Sequence, residues 1–138
     1  MIAVQEFQGK SVGVLGLARS GLSAARALKA GGAKLYAWDD GDAARQAAAK
    51  EKIALDQPNR WPWTQIKTLV LSPGIPLTHP EPHPVVRQAK SAGAEVIGDV
   101  ELFARAVRSG RETNGLARIV AVTGTNGKST TTALIGHI

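Results

Sequence analysis

At 138 residues, 43% hydrophobic and 20% charged, the chain is long enough for one compact domain, or one small domain plus part of another. It is too apolar for intrinsic disorder and too short for a complete multidomain enzyme. Its formal charge of +6 is spread, with twelve basic and eight acidic side chains in residues 1–97 and five and three in 98–138, and aromatics are only 4%; neither a basic arm nor a base-stacking platform is present, so no nucleic-acid partner is expected.

In chain order the pattern is strand then helix, repeated, which predicts an α/β fold with a parallel sheet between helix layers. Residues 10–16 (KSVGVLG) read as a strand and 20–30 (SGLSAARALKA) as a helix with Leu22, Ala25 and Leu28 on one face, stopped by Gly31 and Gly32. Residues 34–38 (KLYAW) are a second strand, the acidic turn 39–42 follows, and 43–52 form an alanine-rich helix. A loop at 58–62 leads to a buried strand at 68–71, and four prolines between Pro73 and Pro82 exclude regular structure before a helix at 85–92. The spacing then predicts a strand at 94–97, a helix at 100–107, a polar linker at 109–115, a strand at 118–123 and a helix opened by Lys128.

Two turns have the composition of phosphate cradles. In residues 119–132 (IVAVTGTNGKSTTT) a buried strand runs through a glycine-rich loop into a helix, so backbone amides and the positive helix end converge where an anion can sit. Lys128 adds a mobile positive charge for outer phosphates, and Ser129 a hydroxyl for a Mg2+ bridging them, which is nucleoside-triphosphate chemistry. The loop is the short form Gly124-x-x-Gly127-Lys128-Ser129; Val122 stands where the longer G-x-x-x-x-G-K-[ST] pattern has glycine. The second turn, Gly16-Leu17-Ala18-Arg19-Ser20-Gly21, meets two of the three glycine positions of a dinucleotide fingerprint, with Ala18 in the middle one. Asp39, eighteen residues beyond Gly21 at the end of the second strand, is placed to accept hydrogen bonds from a ribose or base edge. A nucleotide site and a plain tight strand-to-helix turn both fit this segment, and an NAD-type dinucleotide-binding module is the alternative reading of Gly16, Gly21 and Asp39.

Taken together, GLARSGLSAARAL, LVLSPGIP, VIGDVELF and IVAVTGTNGKSTTT resemble the Mur ligases over essentially the whole chain, and SPGIP with GDVELF resembles the D-glutamate-adding branch. That family uses the short phosphate loop. The resemblance implies a Rossmann-like parallel sheet with helices on both faces, holding a UDP-linked substrate, in residues 1–97. Residues 98–138 would then be a linker and the first strand, P-loop and helix of a second α/β ATPase domain. It implies that Arg19, Ser20, Asp39, Ser72 and Gly74 bind the UDP part of UDP-N-acetylmuramoyl-L-alanine. By the same resemblance Gly124, Thr125, Asn126, Gly127, Lys128, Ser129 and Thr130 bind ATP, with Lys128 the catalytic residue and Ser129 the Mg2+ ligand. The implied reaction is ATP-dependent amide formation with D-glutamate in cytoplasmic peptidoglycan synthesis. The remaining metal, adenine and D-glutamate determinants would lie past residue 138, so this chain alone is expected to be inactive.

The absence of cysteine excludes a disulfide framework, a thiolate metal site and a thiol nucleophile, and His79, His83 and His137 are not spaced as a metal set. His79 and His83, in the proline-rich stretch, read as solvated loop histidines. Trp61 and Trp63 read as a hydrophobic plug and Asp99 as a helix N-cap. No apolar run approaches the ~20 residues of a spanning helix and residues 1–10 lack a signal layout, so a cytoplasmic chain without membrane insertion is expected. Apolar Ala133, Leu134, Ile135 and Ile138 on the last helix need a covering surface, and self-association through this C-terminal segment is an expected way to supply one.

Overall fold

A computed structural model describes residues 3–114 and 120–137 of the chain, the side chains of 110–114 excepted. In chain order the elements are β1 (Ser11–Leu15), α1 (Arg19–Ala30), β2 (Lys34–Trp38), α2 (Asp42–Lys50), β3 (Thr68–Leu71), α3 (Pro84–Ser91), β4 (Glu95–Gly98), α4 (Asp99–Asn114) and α5 (Lys128–Ile135). The four strands form one all-parallel sheet in the order β2-β1-β3-β4. Its composition follows from that order. Central β1 (SVGVL) and β3 (TLVL) are buried at every position, as strands covered on both faces must be, while β2 and β4 at the edges carry exposed Lys34 and Glu95.

Alternate residues of the strands feed two cores. Val12, Val14, Val70 and Ile97 pack with Leu22, Ala25 and Leu28 of α1 and Leu102 and Ala106 of α4. Leu15, Leu69 and Leu71 pack with Val85, Val86 and Ala89 of α3. Trp61 completes the second core at 4% exposure, its ring 5.3 Å from that of Trp63, so the two indoles are the plug expected of them. Their polar ends are satisfied: Trp61 Nε1 donates to Asp56 O at 2.8 Å and Trp63 Nε1 to Pro58 O at 2.9 Å.

Three expectations about the secondary-structure elements need correction. The stretch predicted as a polar linker, 109–115, is helical through Asn114, with Gly115 outside the described residues. Its Ser-Gly and Thr-Asn pairs look like loop residues, but a helix already nucleated over 99–108 adds a hydrogen bond for each residue it fixes and runs through them. The strand predicted at 118–123 is not formed at 120–123, and Arg118 and Ile119 lie outside the described residues. A parallel strand needs a neighbour for its backbone groups, and among the described residues no strand pairs with 120–123. Asp99 is the first residue of α4 rather than its cap, its carboxylate accepting the Val100 N–H at 2.8 Å. α5 buries no residue, and Leu134 and Ile135 stay exposed. Among the described residues no helix is long and apolar enough to cross a membrane.

α4 is clamped to β4 by Arg105. Its guanidinium donates to both Glu95 carboxylate oxygens at 2.8 and 3.0 Å and to Glu101 at 2.9 Å, while Thr68 Oγ1 donates to Glu95 at 2.9 Å. The Arg105 hydrogen bonds hold the Glu95 carboxyl below the usual carboxylate range, against a smaller desolvation effect in the opposite direction. A carboxylate whose value is depressed by folding stabilises the native state above its unfolded value, and that contribution is lost as pH falls through the folded value. Glu95→Gln should therefore lower stability at pH 7 by only about 0.5–1 kcal/mol, because the pair is solvent-screened, and the gap should narrow at an acid pH below the ordinary carboxylate range. Urea unfolding at the two pH values checks this; a gap that widened on acidification would remove the clamp from the account.

Candidate nucleotide cleft

The chain reverses direction across the sheet between β1 and β3, so their carboxyl ends diverge into loops on opposite sides, and open α/β sheets bind ligands in the crevice so formed. The floor of that crevice is the β1–α1 turn. Gly16 has φ +88°, a left-handed conformation, and a Cβ there would lie 2.6 Å from Ser72 Cβ. The Ser72 hydroxyl, buried at 6% exposure, donates to Gly16 O at 2.9 Å, and Ser72 N–H donates to Leu15 O. Gly21 sits where the third fingerprint glycine would: a Cβ on it would fall 1.9 Å from Gly16 O. The turn is thus as compact as a dinucleotide-binding turn although its middle residue is Ala18.

Ala18 is also the N-cap of α1 and contributes no side-chain hydrogen bond. The first amides of a helix have no intrahelical partners, so at α1 they remain open toward the crevice, together with the positive end of the helix dipole. Arg19, Ser20, Asp39, Ser72 and Gly74 all line one open cavity of about 400 Å3 here, with Gly16, Ala18, Pro73 and Ile75. Five residues from three separate loops, expected as one group, come together in space.

Asp39 does more than face this cavity. Its Oδ2 accepts the Leu17 N–H at 2.5 Å and its Oδ1 the Gly41 N–H at 2.7 Å, so it ties the β2–α2 loop to the floor. An ionised carboxylate has about four acceptor positions, which leaves two for a ligand. A larger groove of about 630 Å3 between α1 and α4 shares Arg19 and Ser20. The rest of its wall is mostly apolar, including Val4, Ala24, Leu102 and Phe103, and it holds none of Asp39, Ser72 and Gly74.

Residues 124–130 stand apart from the cleft and none of them lines it. Gly127 has φ +76° and leads into α5 with no side-chain cap, so the first amides of that helix are open, and Lys128, Ser129 and Thr130 are exposed around them. The Lys128 ammonium donates to the Gly124 carbonyl. Ammonium, hydroxyls and open amides are the donor set a triphosphate with a hard divalent cation calls for, so these residues fit ATP and Mg2+ chemically.

His83 corrects the sequence reading, while His79 is exposed as expected. Rather than a solvated loop residue, His83 is the N-cap of α3: its Nδ1 accepts the Val85 N–H at 3.2 Å and its Nε2 lies 2.9 Å from Asp40 Oδ2. The signal was present in His83-Pro84, a capping position followed by proline at the first helical residue, but histidine is not among the usual caps. The His83 hydrogen bond is the main reason the Asp40 carboxyl is held below its ordinary range, with smaller help from Trp38 and Arg45 and opposition from desolvation.

Residues 10–98 match the family described as "Mur ligase MurD-like, N-terminal domain". The chain is 58% identical over 138 residues to UDP-N-acetylmuramoylalanine--D-glutamate ligase of Phenylobacterium zucineum strain HLK1. It is 55% identical to the protein of that name from Caulobacter sp. strain K31 and 49% to that of Paramagnetospirillum magneticum. Each match covers the whole of this chain and 29% of the relative, so the chain spans less than a third of their length. Among solved structures it resembles shikimate dehydrogenase from Aquifex aeolicus (TM-score 0.55, 15% identity, 82% of this chain and 51% of that one). Shikimate 5-dehydrogenase from Thermus thermophilus in complex with shikimate gives a TM-score of 0.50 at 20% identity, over 82% and 51%. At such identities the likeness is one of fold: a Rossmann-like α/β sheet.

Proposed function

This chain belongs to the Mur ligase family as a MurD-like N-terminal domain, and on that premise we propose that it is part of an ATP-dependent ligase adding D-glutamate to UDP-N-acetylmuramoyl-L-alanine in cytoplasmic peptidoglycan synthesis. The UDP-substrate domain, expected over residues 1–97, also takes in α4, whose Leu102 and Ala106 complete its core, and the residues that follow are the opening of the ATPase domain. The observation that carries this reading is the convergence of Arg19, Ser20, Asp39, Ser72 and Gly74 on one cleft under the uncapped start of α1. A diphosphate placed there would meet the α1 amides, Ser20 and the Arg19 guanidinium. Asp39 would accept from the uridine, and Ser72 and Gly74 would form the opposite wall.

The reaction begins when the substrate carboxylate attacks the γ-phosphate of ATP, forming an acyl phosphate and releasing ADP. The amine of D-glutamate then displaces phosphate, forming the amide bond through a tetrahedral intermediate. Phosphoryl transfer of this kind depends on positioning and charge neutralisation and needs no protein nucleophile, in keeping with a chain without cysteine. Gly124 through Thr130 would hold ATP, Lys128 its outer phosphates, and Ser129 the Mg2+, whose contribution when bound is to neutralise developing charge on the triphosphate.

Calorimetric titration with UDP and, separately, NAD(H) tests the assignment: UDP should bind and NAD(H) should not, because the Ala18 methyl stands where a dinucleotide fingerprint keeps bare backbone. Preferential binding of NAD(H) would overturn it. Asp39→Ala should weaken UDP binding by about 1.5–3 kcal/mol, the scale of a hydrogen bond to a charged group. It should also loosen the turn, since the Leu17 and Gly41 amides lose their acceptor. An unchanged affinity would take Asp39 out of the site.

A further inference from the structure

The two walls of the cleft rise from strands that are not neighbours. β1 lies between β2 and β3, so the loops that follow these strands start roughly 10 Å apart, two inter-strand spacings. Each is fastened to the floor separately, the β2–α2 loop through Asp39 to the Leu17 amide and the β3–α3 loop through Ser72 to Gly16 O. Neither bond joins one wall directly to the other.

We propose that His83 is a positioning residue of the nucleotide cleft, its imidazole bracing Asp40 on the β2–α2 loop against the start of α3 and so setting the separation of the two walls. This rests on the nucleotide reading of the cleft. The ring bridges residues 43 positions apart in sequence, and among the described residues it makes the one side-chain hydrogen bond that joins the two loops directly. Its tautomer follows from its partners: Nδ1 accepts from the Val85 amide, so the proton resides on Nε2, which donates to Asp40.

Both ends of the brace are anchored. On one side the His83 backbone N–H donates to Pro76 O at 3.0 Å. On the other, Asp40 Oδ1 accepts from Trp38 Nε1 at 3.1 Å, and Arg45 donates to the carbonyls of Asp39 and Asp40 at 2.8 Å each. Because Asp39 and Asp40 are consecutive, any shift of Asp40 moves the carboxylate that faces the ligand.

Two substitutions separate this brace from the capping role of His83. His83→Asn keeps a strong N-cap for α3 but is too short to reach Asp40, so its melting temperature should stay within about 2 °C of the parent. Asp40→Ala removes the acceptor and leaves the cap intact, whereas Asp40→Asn still offers the imidazole an oxygen. Hydrogen exchange of the Gly41 amide in the ligand-free chain should accelerate roughly tenfold in His83→Asn and Asp40→Ala. UDP affinity should fall roughly five- to tenfold in both, the scale of one net hydrogen bond, and Asp40→Asn, whose single amide oxygen must serve either the imidazole or Trp38 Nε1, should fall between the parent and Asp40→Ala in both readouts. Unchanged Gly41 exchange or unchanged UDP affinity in His83→Asn overturns the proposal, as does an Asp40→Ala variant that matches the parent in both. If the parent chain itself fails to bind UDP while the exchange pattern holds, the nucleotide reading falls and the brace between the loops stands.

Discussion

Replacing Gly21 by alanine should unfold most of the chain or destabilise it by at least about 3 kcal/mol, a large share of the ~5–15 kcal/mol typical of a domain. Two effects of opposite sign compete. Alanine is the better helix former by about 1 kcal/mol and Gly21 lies in the first turn of α1, so an exposed site would gain from the change. Here the new methyl would sit 1.9 Å from the Gly16 carbonyl oxygen, 2.3 Å from Ser72 Oγ and 2.9 Å from Gly16 C. Two of those three atoms are backbone at the cleft floor and cannot rotate away, so α1 must lift off β1 and open the core around Leu22 and Ala25. Steric cost exceeds propensity gain. Gly74→Ala serves as the control: a Cβ there meets nothing within 4 Å, and its stability should match the parent. Urea unfolding measures both, and a Gly21→Ala chain within about 1 kcal/mol of the parent would show that the turn is not the tight junction described.

Lys128→Ala, made in the complete ligase, should reduce turnover by at least about 10²-fold, the loss expected when one preorganised charge is removed from a phosphoryl-transfer site. UDP affinity should remain that of the parent, because Lys128 does not line the cleft. Its loop and helix bury no side chain in the described fold, so the substitution is also expected to leave the stability of the β1–β4 domain unchanged. The outcome thus separates a chemical role from a structural one. Turnover retained with intact UDP binding would remove Lys128 from the catalytic assignment, whereas loss of UDP binding would mean that the two nucleotide segments are coupled.

The order of strands and helices from residue 11 to residue 108 is legible in the sequence because each signal there is local. Apolar β1 and β3 runs are short and end in glycine or Ser-Pro-Gly, α1 repeats its apolar residues at helical spacing, and Gly31-Gly32 stops it, Gly32 supplying the left-handed backbone needed there. The β1–α1 turn and Asp39 were also legible, since a glycine turn after the first strand and an acid ending the second mark the carboxyl edge of a parallel sheet, whereas Ser72 and Gly74 were named only through the family resemblance.

Features that depend on partners distant in sequence were settled by the fold. Whether 120–123 forms a strand is set by the presence of a neighbouring strand, not by its own valines. The reach of α4 past residue 108 reflects propagation from a helix that Arg105 docks on Glu95, ten residues away and on another element. His83 looks like a loop histidine until the fold brings Asp40 to its Nε2, and Asp39 looks like a ligand group alone until Leu17, on the far side of α1 in sequence, is seen to use its carboxylate. Hydrogen bonds between loops on different strands leave no periodicity in a sequence, because their geometry is created only when the sheet sets the strand order.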